Sequence, residues 1–421
     1  MSAVILALGV FFYSFSGSEG IYSGDTLELS MESAVQLLLR ANQALGAARF
    51  EVESSKGDLE TAGLISNPQL SVNGSYVGLL KHPVDYNSTQ TAARIDETFE
   101  LGGKRGYRIE TGKHSVAESE NEFLDAKHRL VDDFRETFLS AAFAEQEYLL
   151  AQENSEISSK LKDAAAKRSK AGDIGEQEFI EIRLEDIKVE QSLSDAEQMV
   201  DDSFSKIRKA LNLDPSLPLK VDFDFVPDFP LPPEDSLTRQ AIKERPDLLA
   251  ERERVLVQKS KVQLAKADGF PDLDIGVELD RQGPAFANMF GGGIGIAIPL
   301  FNRNQGGIES AEAQESEEEF LLRAKENEVV NEVKTAYAKY RNSVDVLRNL
   351  SSSAPSDARK VREVAVKSYT AGNIGLVELL QTEQIYTDAV QSYYNALQEL
   401  FVNRIELERA VGEDSFEEDM K

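Results

Sequence analysis

Three histidines, His82, His114 and His128, and no cysteine are the soft metal ligands of this 421-residue chain. His114 and His128 stand two heptads apart on a helical stretch, about 21 Å along its axis, too far to share an ion. No metal site is expected, and without thiols there is no disulfide or catalytic cysteine. The string FELGGKRG, from Phe99, superficially looks like a phosphate loop but lacks the flanking GxxxxGKS/T pattern. No Ser/His/Asp set can be assembled, and neither catalytic residue nor cofactor is expected. What recurs is carboxylate. Asp272, Asp274, Glu278 and Asp280 alternate with Leu273, Ile275, Val277 and Leu279, an acidic face that would draw cations. Glu178 and Glu378 each stand next to last in a copy of one phrase, AGDIGEQEF from Ala171 and AGNIGLVEL from Ala371.

Charge and composition narrow the class. A formal net charge of −28 repels nucleic-acid phosphates, and 41% hydrophobic with 29% charged residues excludes general disorder. At the N-terminus, Ala3 to Tyr13 is an apolar run followed by small polar residues. That is the pattern of a signal-peptide h-region and cleavage region, expected over residues 1–18, and it is too short to span a bilayer. No Lys or Arg precedes it, which departs from the usual basic n-region.

The repeated phrase implies a duplication at a register of about two hundred residues. NPQLSVNGSY from Asn67 finds a counterpart in FPDLDIGVEL from Phe270, and TFELGGKRG from Thr98 one in IPLFNRNQGG from Ile298. The first repeat is expected over 27–213, with a helix, strands about 68–80 and 91–101, a long helix 103–170, a turn 171–175 and a helix 176–212. A proline-rich linker, 214–234, leads to the second repeat at 235–413. That repeat has a helix, strands about 271–281 and 291–300, a long helix 303–370, a turn 371–375 and a helix 376–412, then an acidic tail 414–421. Pro355 should break or bend the second long helix. The first would extend on the order of 100 Å. The helices after each turn carry seams spaced 4-3-4-3: Val189, Leu193, Ala196, Val200, Ser203, Ile207, Ala210, and Ala389, Tyr393, Ala396, Leu400, Asn403, Leu407, Ala410.

All four strands alternate apolar with polar at about the length of a tilted transmembrane strand, although a one-sided soluble sheet alternates too. With an export signal and very long helices the barrel reading gains. Four strands cannot close a barrel and open edges are not tolerated in lipid, so several chains must pool strands. The expected class is an α+β membrane protein with long coiled-coil hairpins and four transmembrane β-strands per chain.

The duplicated helix-strand-strand-helix order, the phrases at Gly172 and Gly372, and the strand entries at Pro68 and Pro271 resemble TolC-family outer-membrane efflux proteins. FELGGKRG and PLFNRNQGG are similar to the CzcC-like branch, associated with heavy-metal cation efflux. The resemblance implies a homotrimer with a 12-stranded β-barrel in the outer membrane and a 12-helix periplasmic tunnel. Its partners would be a periplasmic adaptor and an inner-membrane pump of the resistance-nodulation-division type. It further implies that Ala171, Gly172, Asp173, Ala371, Gly372 and Asn373 form an adaptor-docking tip, and that Glu178, Tyr369 and Glu378 form a periplasmic gate. Ile374 and Gln381 depart from the basic and second acidic residue that some members carry there. Within the barrel, Asp272, Asp274, Glu278 and Asp280 would face the lumen. The alternatives are an outer-membrane component of type I protein secretion and a soluble periplasmic coiled-coil scaffold. For Glu178 and Glu378 a solvated first-turn carboxylate, favourable at a helix N-terminus, is the simpler reading.

Overall fold

A computed structural model describes residues 22–23, 26–76, 89–226, 230–282, 288–350 and 354–413. The expected signal segment, His82 and the acidic tail lie outside these residues. The chain divides into two compact units, Met1–Ala41 with Phe134–Pro227 and Ser352–Gln398, and Asn42–Asp133 with Asp228–Ser351 and Glu399–Lys421. In order, the elements are β1 (Tyr22–Ser23), β2 (Thr26–Ser30), α1 (Met31–Ala41), α2 (Gln43–Ala62), β3 (Gln69–Tyr76), β4 (Thr89–Phe99), α3 (Lys104–Ala171) and α4 (Glu176–Ala210). There follow β5 (Leu219–Asp222), α5 (Glu234–Glu244), α6 (Pro246–Asp268), β6 (Leu273–Gln282), β7 (Met289–Ile296), α7 (Gln305–Asn349), α8 (Ala354–Thr370) and α9 (Leu376–Val411).

In the first unit a small sheet of order β1-β2-β5 pairs β2 with β5 in parallel, Leu27 opposite Leu219 and Leu29 opposite Val221. The proline-rich segment expected as a linker therefore contributes a strand. Its alternating Leu219 and Val221 are buried while Lys220 reaches Glu28 at 2.6 Å. Phe225 then packs edge-on against Phe143, 5.1 Å between centroids, so apolar burial holds a segment that proline content alone marked as connecting. The helical part of this unit has a core of Leu161, Ala165, Ile174, Ile182, Ala365, Tyr369, Leu376 and Leu379. Above it lies a buried cation. Arg362, 1% exposed, stacks 4.2 Å over the Tyr386 ring, with Glu383 at 2.8 Å and Glu153 at 3.5 Å. A charge this deep is tolerated only because carboxylates and a π face surround it.

The second unit carries an antiparallel sheet of order β3-β4-β6-β7. Its residues alternate because a strand's side chains point to opposite faces at a period of two. Each repeat's opening helix is in fact two helices. Asn42 ends the run in one and caps α2 by accepting from Leu45 N at 2.9 Å. Pro246 stops α5 in the other and opens α6 at its first position, where no N–H is needed. The long helix expected over 303–370 is likewise divided into α7 and α8, with Pro355 in the first turn of α8. The helical core is Leu237, Ala241, Leu248, Val329, Val333, Ala336, Tyr340, Val344, Leu400, Leu407, Ala410 and Val411. At the α5–α6 corner Arg245 donates to both Asp247 oxygens (2.8 and 2.6 Å), to Glu332 at 2.5 Å and to the Ala410 carbonyl at 3.1 Å. Lys325 adds a second cation 3.0 Å from Asp247. Burial alone would raise the Asp247 pKa, but the hydrogen bonds and charges of Arg245 and Lys325 outweigh it and bring it to about 2.

Candidate functional site

The two copies of the phrase adopt one conformation. Gly172 has φ +81° and Gly372 φ +79°, a region that costs any residue with a Cβ about 1–2 kcal/mol. Each glycine closes its helix by the same pair of backbone bonds. Gly172 N donates to Ser169 O (3.1 Å) and Asp173 N to Arg168 O (2.9 Å); Gly372 N donates to Tyr369 O (2.9 Å) and Asn373 N to Ser368 O (2.8 Å). Gly175 and Gly375 then accept from Phe179 N and Leu379 N, starting the next helix. Ala171, Gly172, Asp173, Ala371, Gly372 and Asn373 are all exposed, while Ile174 and Leu376 are buried beneath them. The turns thus present small residues outward from an apolar base.

The structure brings together two of the three expected gate residues. The Tyr369 hydroxyl donates to Glu178 Oε1 at 2.9 Å, across 191 positions of sequence. Tyr369 is fully buried, and burial first, then the Glu178 hydrogen bond and charge, push its hydroxyl up to about 12 against the opposing Arg168. It therefore stays a donor across the physiological range. Arg168 was not singled out from sequence. It donates to the Tyr369 carbonyl at 2.9 Å and sits 5.0 Å over its ring. A basic residue in the last turn of a helix, favoured by the dipole, was the available signal. Glu378 stands apart, exposed in the first turn of α9. Ile374 packs against the apolar cluster, and the cation at this turn is Arg168 of α3.

On the sheet the register assigns the faces. Thr98, Asp96, Arg94 and Ala92 of β4 lie opposite Asp274, Gly276, Glu278 and Asp280 of β6, which in turn face Gly295, Gly293, Gly291 and Met289 of β7. Leu70, Val72, Ile95, Val277, Phe290, Ile294 and Ile296 share the other face, and all are exposed. The carboxylates expected to act together differ in surroundings. Asp272 precedes β6 and is tied to the start of α3, accepting from Leu101 N at 3.1 Å and Lys104 Nζ at 2.8 Å. Asp274 accepts from Thr98 Oγ1 at 2.5 Å, and Glu278 lies 3.8 Å from Arg94 Nη1. Among the histidines, His114 Nδ1 is 2.7 Å from Glu253.

A helical, duplicated chain with a four-stranded sheet whose exposed face is apolar has the fold of TolC-like outer-membrane channels, and residues 237–413 match the outer membrane efflux protein family (OEP). The chain is 24% identical over 392 residues to the cobalt-zinc-cadmium resistance protein CzcC of Cupriavidus metallidurans, covering 91% of this chain and 90% of that protein. The outer-membrane channel OprN superposes with a TM-score of 0.76 at 16% identity, covering 91% of this chain and 89% of its own. CusC superposes equally, 0.76 at 17% identity, covering 91% and 92%. The resemblance to TolC-family, CzcC-like efflux proteins therefore holds along most of the chain.

Proposed function

We propose that this chain is the outer-membrane exit duct of a tripartite efflux system, conducting solutes passively, with heavy-metal cations as cargo. The observation that carries the reading is the sheet. Val277, Ile294 and Phe290 are 59%, 76% and 82% exposed on a face that a water-soluble protein would cover. Among the described residues, edge strands β3 and β7 each have a neighbour on one side only, and lipid does not tolerate open edges. Three copies joining β7 to β3 supply twelve strands, in keeping with transmembrane barrels of eight or more. The helices of the same three copies would form the periplasmic tunnel, with the domain bounds read from the repeats. The choice of cargo is supported by the similarity to a relative named for cobalt, zinc and cadmium resistance.

In this reading the exposed turns at Gly172 and Gly372 receive a periplasmic adaptor, which links to an inner-membrane pump of the resistance-nodulation-division type. Tyr369 and Glu178 restrain the tip, Glu378 adds negative charge there, and Asp274, Glu278 and Asp280 line the lumen with Asp272 at its base. Energy comes from the pump. The deciding experiment is a deletion strain complemented with this gene and scored for cobalt, zinc and cadmium tolerance. Restored tolerance together with heat-modifiable trimers in the outer-membrane fraction is expected; a soluble monomer released by osmotic shock would overturn it.

A further inference from the structure

Among the described residues of the sheet's polar face Arg94 is the one cation, set against the carboxylates Asp96, Asp274, Glu278 and Asp280. Its guanidinium is held by a neighbour two positions along β4: Nε donates to Asp96 Oδ1 at 2.7 Å and Oδ2 at 2.8 Å, and Nη2 lies 2.7 Å from Oδ1. Nη1 reaches across to Glu278 on β6, at 3.8 Å. The residue opposite Asp96 is Gly276. A Cβ there would press on Asp96 Oδ1 and lie 2.6 Å from Arg94 Nη2, so the paired side chains lie over the β6 backbone in the space that a Cβ would take. On β7, the partner of Gly276 is Gly293, where a Cβ would meet nothing within 4 Å. The cation is thus fixed beside open space.

Resting on the duct reading, we infer that Arg94 is a selectivity-determining residue of the passage: laid over Gly276, it offsets Asp96 and Glu278 and limits the cation preference of the acidic face. Without it, Asp96, Asp274 and Glu278 would form an uncompensated carboxylate band. Such a band would attract divalent cations but also retain them, whereas conduction requires binding weak enough to release. Arg suits this better than Lys, because its planar fork pairs with both Asp96 oxygens and stays charged at any working pH.

The natural absence of cysteine allows a local test. Gly293→Cys in the full chain places a single thiol on the polar face, about one strand spacing from the guanidinium. Cells carrying it are treated from outside with a cationic and an anionic methanethiosulfonate, and the ratio of modification rates reports the local potential. Arg94→Gln should raise the cationic-to-anionic ratio about five-fold at moderate salt, and Asp96→Asn should lower it. Arg94→Lys, which keeps the charge if Arg94→Gln assembles poorly, should leave it within about two-fold of the parent. A thiol that reacts with both reagents at a ratio unmoved by Arg94→Gln or Asp96→Asn overturns the role of Arg94 and leaves the duct standing. A thiol shielded from both reagents overturns the duct reading as well.

Discussion

The hydroxyl of Tyr369 and the carboxylate of Glu178 meet at 2.9 Å, each from the end of a different helix beside one of the two equivalent turns. A hydrogen bond to a charged group stabilises by about 1.5–3 kcal/mol, so it can bias a two-state element by roughly ten-fold or more. Tyr369→Phe removes the donor while keeping the ring under Arg168. Purified channels of this variant should show a higher resting conductance than the parent, and Glu178→Gln a smaller rise. Equal conductance in all three would remove the restraint. The raised Tyr369 hydroxyl gives the pH sign. Its contribution is fully present below the ordinary tyrosine value of about 10 and is lost as pH climbs toward about 12, so near neutrality this group should hold resting conductance down without making it vary with pH.

The matching backbone of Gly172 and Gly372 leads to a second expectation. Valine at both positions forces β-branched residues to φ near +80°, costing on the order of 2–4 kcal/mol in total and displacing both exposed turns. Metal export should fall at least ten-fold while trimers remain in the outer membrane. Undiminished export would separate the turns from adaptor docking.

Acid should weaken the α5–α6 corner. The folded-state pKa of Asp247 is depressed to about 2, so its stabilisation is present above the unfolded value near 4 and is lost as pH falls from about 4 to about 2. Asp247→Asn removes that pH dependence and leaves Arg245 with Glu332 and the Ala410 carbonyl. Melting followed by circular dichroism should place the variant about 1–3 kcal/mol below the parent at pH 7, with the two curves converging near pH 2. Parallel curves at all pH values would refute the assignment.

Several features are determined by the sequence alone, because they depend on chain neighbours. The period-two alternation along Leu273 to Asp280 decides which side chains share a face, since a strand turns its residues over one by one. The recurrence of Ala, Gly, Ile and Gly after Lys170 and Thr370 marks two equivalent stops, since few residues but glycine occupy the left-handed region. Seam positions such as Ala196, Ile207, Leu400 and Leu407 are buried because 4-3 spacing keeps one helix face inward.

Tertiary structure alone decides what those features meet. Nothing local pairs Tyr369 with Glu178, or draws Arg168 onto Tyr369, because each contact joins residues about two hundred positions apart. Composition marked 214–234 as a linker, yet Leu219 and Val221 find β2 and become a strand, since pairing and burial override a proline-rich context. Four alternating carboxylates read as one acidic row. The fold gives them different partners, Lys104 for Asp272, Thr98 for Asp274 and Arg94 near Glu278, because strand register and the start of α3 bring up side chains about 170 positions or more away in sequence.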